Sequence, residues 1–296
     1  MSKSVNFIVL HASVVFNQQL SWFEEQYSDT KEGRNAAFRC AIEKLKEKKA
    51  VKTNPRVTEY VLVYKTSITD DILYCQLAKR TQMDTYKFTE NTIKQESIDS
   101  YPPLDVFISL DQQQIAVELN TKLLSAETIA STVEKLFNCL VKDYNIFVNI
   151  LKSKKEFWDL VSDQDAIQEI SFDMVVPNFF WATGAAGNLV AGAKDNLNAD
   201  RVELCIKNKK GRLTASLEAI DSYVRYSSVA GSWKLKIKEP GASKYTTIKS
   251  TDFCRKKEID AEILALLQKM DDSLQVDGQI YIGLVNKLSG LFVYEE

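Results

Sequence analysis

The segment Trp233-Lys-Leu-Lys-Ile-Lys238 alternates apolar and charged residues without a break. A β-strand sends successive side chains to opposite faces, so Trp233, Leu235 and Ile237 point one way and Lys234, Lys236 and Lys238 the other. The chain must therefore build a sheet with one face in a core and the other carrying a row of lysines.

Other strands and helices alternate along the chain. Apolar strand patterns run over Val5–Phe16, Val57–Tyr64, Ile72–Lys79, Leu104–Leu110, Ile115–Leu119, Ile146–Leu151, Ile167–Val176, Arg201–Lys207 and Lys244–Lys249. Asp70-Asp71 and Asp111-Gln-Gln-Gln114 mark turns between antiparallel partners. Helical patterns cover Arg34–Lys49, a segment opened by Ser125 and running to Asp143, a small-residue stretch ending at Leu197, Ser216–Tyr226 and Lys257–Met270. The strand, helix, strand order from Ile167 to Lys207 suggests a βαβ unit with parallel strands. Ile280–Val285 and Leu291–Tyr294 fit no class. The fold class expected is α+β (mixed α/β): two mixed-sheet halves with packed helices, residues 1–162 and 163–296, divided near Ser162. A chain of 296 residues with 45% apolar content supplies a core without metals or disulfides.

Cys40, Cys75, Cys139, Cys205 and Cys254 are odd in number and scattered in apolar stretches, which suggests buried, reduced thiols and a cytoplasmic setting. The first residues lack the long apolar region and small-residue cleavage site of a signal peptide and read as a strand.

Charge is distributed unevenly. From Arg201 to Lys257 there are 14 Lys+Arg against 5 Asp+Glu, a balance of +9, whereas the remainder carries −11. Lys207, Lys209, Lys210 and Arg212 surround a turn beside the lysine strand, and Lys244, Lys249, Arg255, Lys256 and Lys257 extend the basic stretch. With Tyr223, Tyr226 and Tyr245 available for stacking, such a surface suits nucleic acid. The same charges suit an acidic protein partner. Alternating lysines also keep a half-exposed sheet soluble or blunt its edge.

Several chemistries lack their residues. His11 is the single histidine, which leaves any Ser-His-Asp or Cys-His arrangement dependent on it. No two cysteines stand at zinc-ligand spacing. Thr183-Gly-Ala-Ala-Gly187 enters a helix as an anion-binding loop would, but matches no phosphate-loop pattern; small residues there also permit close helix packing. Asp105 and Glu118, on adjacent strands, are candidates to hold Mg²⁺ in a nuclease, although Lys122 lies too far along for the expected strand lysine. The 20 uncharged residues Met174–Ala193 are long enough to span a bilayer, yet Pro177-Asn178 and three glycines suit a buried strand, loop and helix better.

A strand ending in Pro177-Asn178, a helix, the strand Val202-Glu-Leu-Cys-Ile-Lys207 and the following Asn208-Lys-Lys-Gly211-Arg-Leu213 resemble the C-terminal half of an uncharacterised bacterial protein family found among phage-defence and mobile-element genes. The resemblance covers about Ile167–Lys238 and implies a bacterial, cytosolic defence component with no established activity. The expectation is thus a binding or sensor component without cofactor, engaging nucleic acid or an acidic partner through the basic stretch. The alternatives are a Mg²⁺-dependent nuclease and a scaffold or toxin-neutralising protein.

Overall fold

A computed structural model of the chain describes residues 4–16, 31–53, 58–89, 92–152, 154–162, 166–176, 184–197, 199–209, 213, 217–238, 240–269 and 278–292. In chain order the elements begin with β1 (Ser4–Phe16), α1 (Lys31–Lys48), β2 (Ala50–Lys52), β3 (Tyr60–Ser67), β4 (Ile72–Lys79), β5 (Thr81–Thr89) and β6 (Thr92–Ser100). They continue with β7 (Pro103–Ser109), β8 (Gln114–Glu118), α2 (Ala126–Asn138), β9 (Tyr144–Ile150), α3 (Lys154–Ser162), β10 (Ala166–Val175) and α4 (Ala185–Leu197). The last are β11 (Arg201–Lys207), α5 (Leu217–Val229), β12 (Gly231–Lys238), β13 (Thr246–Lys249), β14 (Lys256–Asp260), α6 (Ala261–Lys269) and α7 (Gly278–Phe292). The fold is mixed α+β.

An eight-stranded sheet, in the order β14-β1-β8-β7-β4-β3-β2 with β9 as the eighth strand paired off this path to β1, forms the first layer, all its pairs antiparallel. The long β1 takes β14 along Ser4–Ile8 and β9 along Leu10–Phe16. Ile8, Leu10, Ala12 and Val14 lie in one core with Phe38 and Ile42 of α1 and Val133 and Phe137 of α2. Phe7 lies in a second core with Leu264 and Leu267 of α6 and Leu288 of α7. Cover on both faces explains why β1 reads as a near-continuous apolar run. Ser125 caps α2 as its position suggests, its Oγ accepting from the Thr128 N–H at 3.2 Å.

A four-stranded antiparallel sheet, β11-β10-β12-β13, forms the second body. The expected parallel pairing of the strands at 167–176 and 201–207 is corrected: β10 and β11 are antiparallel. The connection starts and finishes at one end of the sheet, where the Val176 N–H donates to the Asp200 carbonyl at 2.8 Å. A parallel crossover would have had to return to the opposite end before re-entering the sheet.

Two further expectations change. The helix placed at Lys257–Met270 begins only at Ala261, because residues 256–260 pair with the edge of β1 instead. Backbone groups of a strand edge need partners, and that demand outweighs local helical spacing. Of the unclassified segments near the C-terminus, Ile280–Val285 and Leu291–Phe292 belong to one helix, α7, packed on the first sheet, and residues 293–294 lie outside the described residues. The sequence also gave no warning of the hairpin β5–β6, whose Met83, Tyr86, Phe88, Ile93 and Ile98 are exposed.

Candidate functional site

One face of the four-stranded sheet is core. Trp233, Leu235 and Ile237 are fully buried there with Phe172, Ile170 and Val224, and the Phe157 ring meets Trp233 edge-on at 5.2 Å. The opposite face carries the lysine row, with Lys234 exposed and Lys236 and Lys238 half-buried.

The antiparallel register fixes what stands beside each lysine. Across the sheet, Lys207 faces Glu169, Glu169 faces Lys236, and Lys236 faces Thr247. The next level reads Cys205, Ser171, Lys234, Lys249, and the level beyond it Glu203, Asp173, Ser232. The face is therefore not uniformly basic, since the central strand contributes two carboxylates.

Those carboxylates are already engaged. Glu169 accepts from Lys207 at 3.2 Å, and Cys205 and Ser171 also donate to it. Burial pushes its carboxyl up, but these donors outweigh that effect and hold it below the usual range. Asp173 pairs with Arg201 at 2.8 Å. Among the described residues no carboxylate forms an ion pair with Lys234, Lys236 or Lys238. Lys234 and Lys249 stand directly opposite each other, an arrangement of like charges that destabilises a sheet.

The other basic positions distribute unevenly. Lys209 and Lys244 are exposed in segments flanking this sheet. Lys256 is exposed on β14, in the eight-stranded sheet, and so does not extend the row. Lys210 and Arg212 lie outside the described residues. The tyrosines proposed as stacking partners are corrected. Tyr223 stacks on Phe172 at 5.6 Å on the core side, and Tyr226 is buried with its hydroxyl donating to the Val175 carbonyl. Helix α5 must cover the apolar face, and this draws both rings inward. Tyr245 is 38% exposed.

At the Asp173 and Ser232 end the polar face meets the first body in a cleft of about 230 Å³. Lys152, two residues past the end of β9, and Asn149 line it from one side, and Asp173, Arg201 and Ser232 from the other. Lys152 is 3% exposed and its ammonium donates to the Gly231 carbonyl. Burial draws its pKa down to about 8, partly offset by the charge of Asp173. Sequence reasoning did not single out Lys152; its one signal was its place directly after the apolar strand pattern Ile146–Leu151.

Asp105 and Glu118 stand on adjacent strands, but the Asp105 side chain is buried and filled by its own donors. Tyr74 donates to Oδ1 at 2.7 Å and Gln268 of α6 to Oδ2 at 2.9 Å. Glu118 accepts from the Asp105 backbone N–H at 3.2 Å, and its pKa is raised by burial. Lys122 is exposed in the following loop. Among the described residues no group of three or more His, Cys, Asp or Glu is gathered as metal ligands would be. The Asp105 arrangement holds α6 to the sheet.

His11 sits in β1 beside Ser13, whose Oγ is 3.3 Å from Nδ1, and desolvation lowers its pKa to about 4. At the start of α4, the Ala186 N–H donates to Ser222 Oγ at 3.3 Å and Gly184 lies against the same side chain. The small residues thus bring α4 onto α5; residues 177–183 of the uncharged segment lie outside the described residues. No described helix is long and apolar enough to cross a membrane. The expected burial of the cysteines is corrected in part: Cys75 is buried, whereas Cys139 and Cys205 are exposed. The sequence matches no protein-family model, and no curated protein is similar to it at a significant level.

Proposed function

We propose that the lysine face of the four-stranded sheet binds the phosphate backbone of single-stranded nucleic acid, as a binding component without catalysis of its own. The observation that carries this reading is the row Lys234, Lys236 and Lys238, which form no ion pair with a carboxylate among the described residues, with Lys249 directly opposite Lys234. Lysines two residues apart on a strand are roughly 6.6 Å from one another, a step suited to successive phosphates of an extended chain. An anion between Lys234 and Lys249 turns their mutual repulsion into shared attraction. With Tyr223 and Tyr226 turned inward, contact rests on charge, so binding is largely independent of sequence. The resemblance of residues 167–238 to an uncharacterised bacterial family found among phage-defence and mobile-element genes suggests a biological setting for such a component.

Fluorescence anisotropy with labelled single-stranded oligonucleotides tests this. Four lysine contacts predict a slope of log K against log salt of about −3, from roughly −0.7 per contact. The double reversal K234E/K236E should weaken binding by about tenfold or more and roughly halve the slope. No binding at low salt overturns the reading. Tighter binding to polyglutamate than to an oligonucleotide of equal charge would point to an acidic protein partner instead.

A further inference from the structure

The hairpin β5–β6 prolongs one ladder of the large sheet: the register that joins Ala78 to Pro103 in β4–β7 continues unbroken to Thr81 and Ser100. The flanking strands do not follow it, since β3 starts at Tyr60, opposite Lys79, and β8 ends at Glu118. Nine residues in each strand make an arm roughly 30 Å long, with both edges open among the described residues. The arm contributes to none of the cores, and a two-stranded ribbon alone is marginally stable in water, whereas three or more strands with an apolar face hold together. Tyr86, Phe88 and Ile93 share one of its faces and are 69%, 74% and 70% exposed.

The charges indicate what adds the missing strands. Residues 81–100 hold four acidic residues and two lysines, a balance that repels phosphates and suits the arm poorly to nucleic acid or anionic lipid. On the face opposite the aromatic rings Lys87 stands across from Lys94, a pairing of like charges that destabilises a hairpin. Glu96 relieves Lys87 through an ion pair at 2.6 Å, while Lys94 has no carboxylate partner among the described residues. A two-fold axis normal to the ribbon pairs an edge strand with its own copy, and two residues then meet on one face only if their numbers differ by an even amount. On β5 the charged residues Asp84 and Lys87 differ by an odd number and never meet. On β6, Lys94 and Glu96 flank Gln95, so with Gln95 opposite its own copy each Lys94 faces the other chain's Glu96. The same register sets Ile93 against Ser97 and Ile98 against Thr92.

We propose that two copies of this chain dimerise through β6, joining their arms into a four-stranded antiparallel sheet in which Lys94 and Glu96 form reciprocal ion pairs. The Tyr86, Phe88 and Ile93 side chains of both copies then share one face of a sheet wide enough to be stable. This does not depend on the nucleic-acid reading, because the arm and the lysine face belong to different sheets.

Sedimentation equilibrium of the full chain from about 1 to 100 µM spans the micromolar dissociation constants expected of a small interface, and the chain should be dimeric at the upper end. K94E sets Glu against Glu at both contacts and should weaken dimerisation about tenfold or more. The exchange K94E/E96K restores opposite charges and should recover the dimer, which separates loss of the contact from a folding defect. Gln95→Cys should give more intermolecular disulfide on mild oxidation than the unsubstituted chain. A chain that stays monomeric throughout overturns the proposal. So does a dimer that K94E leaves intact, that the exchange does not recover or that Gln95→Cys does not cross-link, because each places the interface elsewhere.

Discussion

Replacing Lys152 with methionine isolates the energetic cost of a buried ammonium. Desolvation lowers the Lys152 pKa from 10.5 to about 8, with Asp173 opposing the shift. A shift of that size corresponds to about 3 kcal/mol acting against the charged form in the folded protein. Between pH 8 and 10.5 the unfolded chain keeps a proton that the folded protein has released. The Lys152 contribution to stability therefore rises with pH across that window and is flat below it. Other buried groups act in the opposite sense at high pH. Cys75 is pushed up to about 12 by burial, and Tyr74 and Tyr226 are also raised by burial, so each loses stability as pH climbs through its unfolded pKa. Both proteins share those groups, and the difference between them reports Lys152.

At neutral pH the variant loses a desolvation cost of about 3 kcal/mol and a hydrogen bond to Gly231 worth about 1–2 kcal/mol. Lys152→Met should thus be more stable by about 1–2 kcal/mol. Toward pH 10.5 that advantage should shrink by about 3 kcal/mol and become a deficit. Urea unfolding with linear extrapolation, run for both proteins at several pH values from 7 to 10.5, measures the difference directly. A difference constant to within about 0.5 kcal/mol across that range would refute the assignment of Lys152 as a desolvated cation.

Two further expectations concern the supporting structure. A Cβ on Gly231 would lie 1.9 Å from the Asp173 carbonyl oxygen, so Gly231→Ala should cost about 3 kcal/mol or more and lower the melting temperature by several degrees; unchanged melting would contradict the close strand approach. His11, with its folded pKa lowered to about 4 by desolvation, makes the protein less stable as pH falls from its ordinary 6.5 toward 4, because the unfolded chain takes up the proton first. His11→Asn should flatten the pH dependence of stability in that window, and an unaltered slope would show that the imidazole is solvated.

Much of the architecture was legible because local periodicity and burial agree. The alternation in 233–238 fixed both the strand and its lysine face, since a one-residue slip would have buried three ammonium groups. The strands flanking Asp70-Asp71 and Asp111–Gln114 and the Ser125 cap were equally readable from turn and cap chemistry. The hairpin β5–β6 was hidden because it contributes to none of the hydrophobic cores, so neither of its faces needs a clean apolar pattern.

The sequence by itself determined which side chains can share a strand face: spacing of two residues settles that Lys234, Lys236 and Lys238 stand together, whatever the fold around them. Only the tertiary structure decided what stands across from them. Register places Glu169 and Asp173 among the cations and Lys249 against Lys234, and sends Lys256 to another sheet. The cleft depends wholly on that level, because Asn149 and Lys152 lie on one body and Asp173, Arg201 and Ser232 on the other. Proximity between residues so far apart in the chain arises from packing of the two sheets, which no local periodicity encodes.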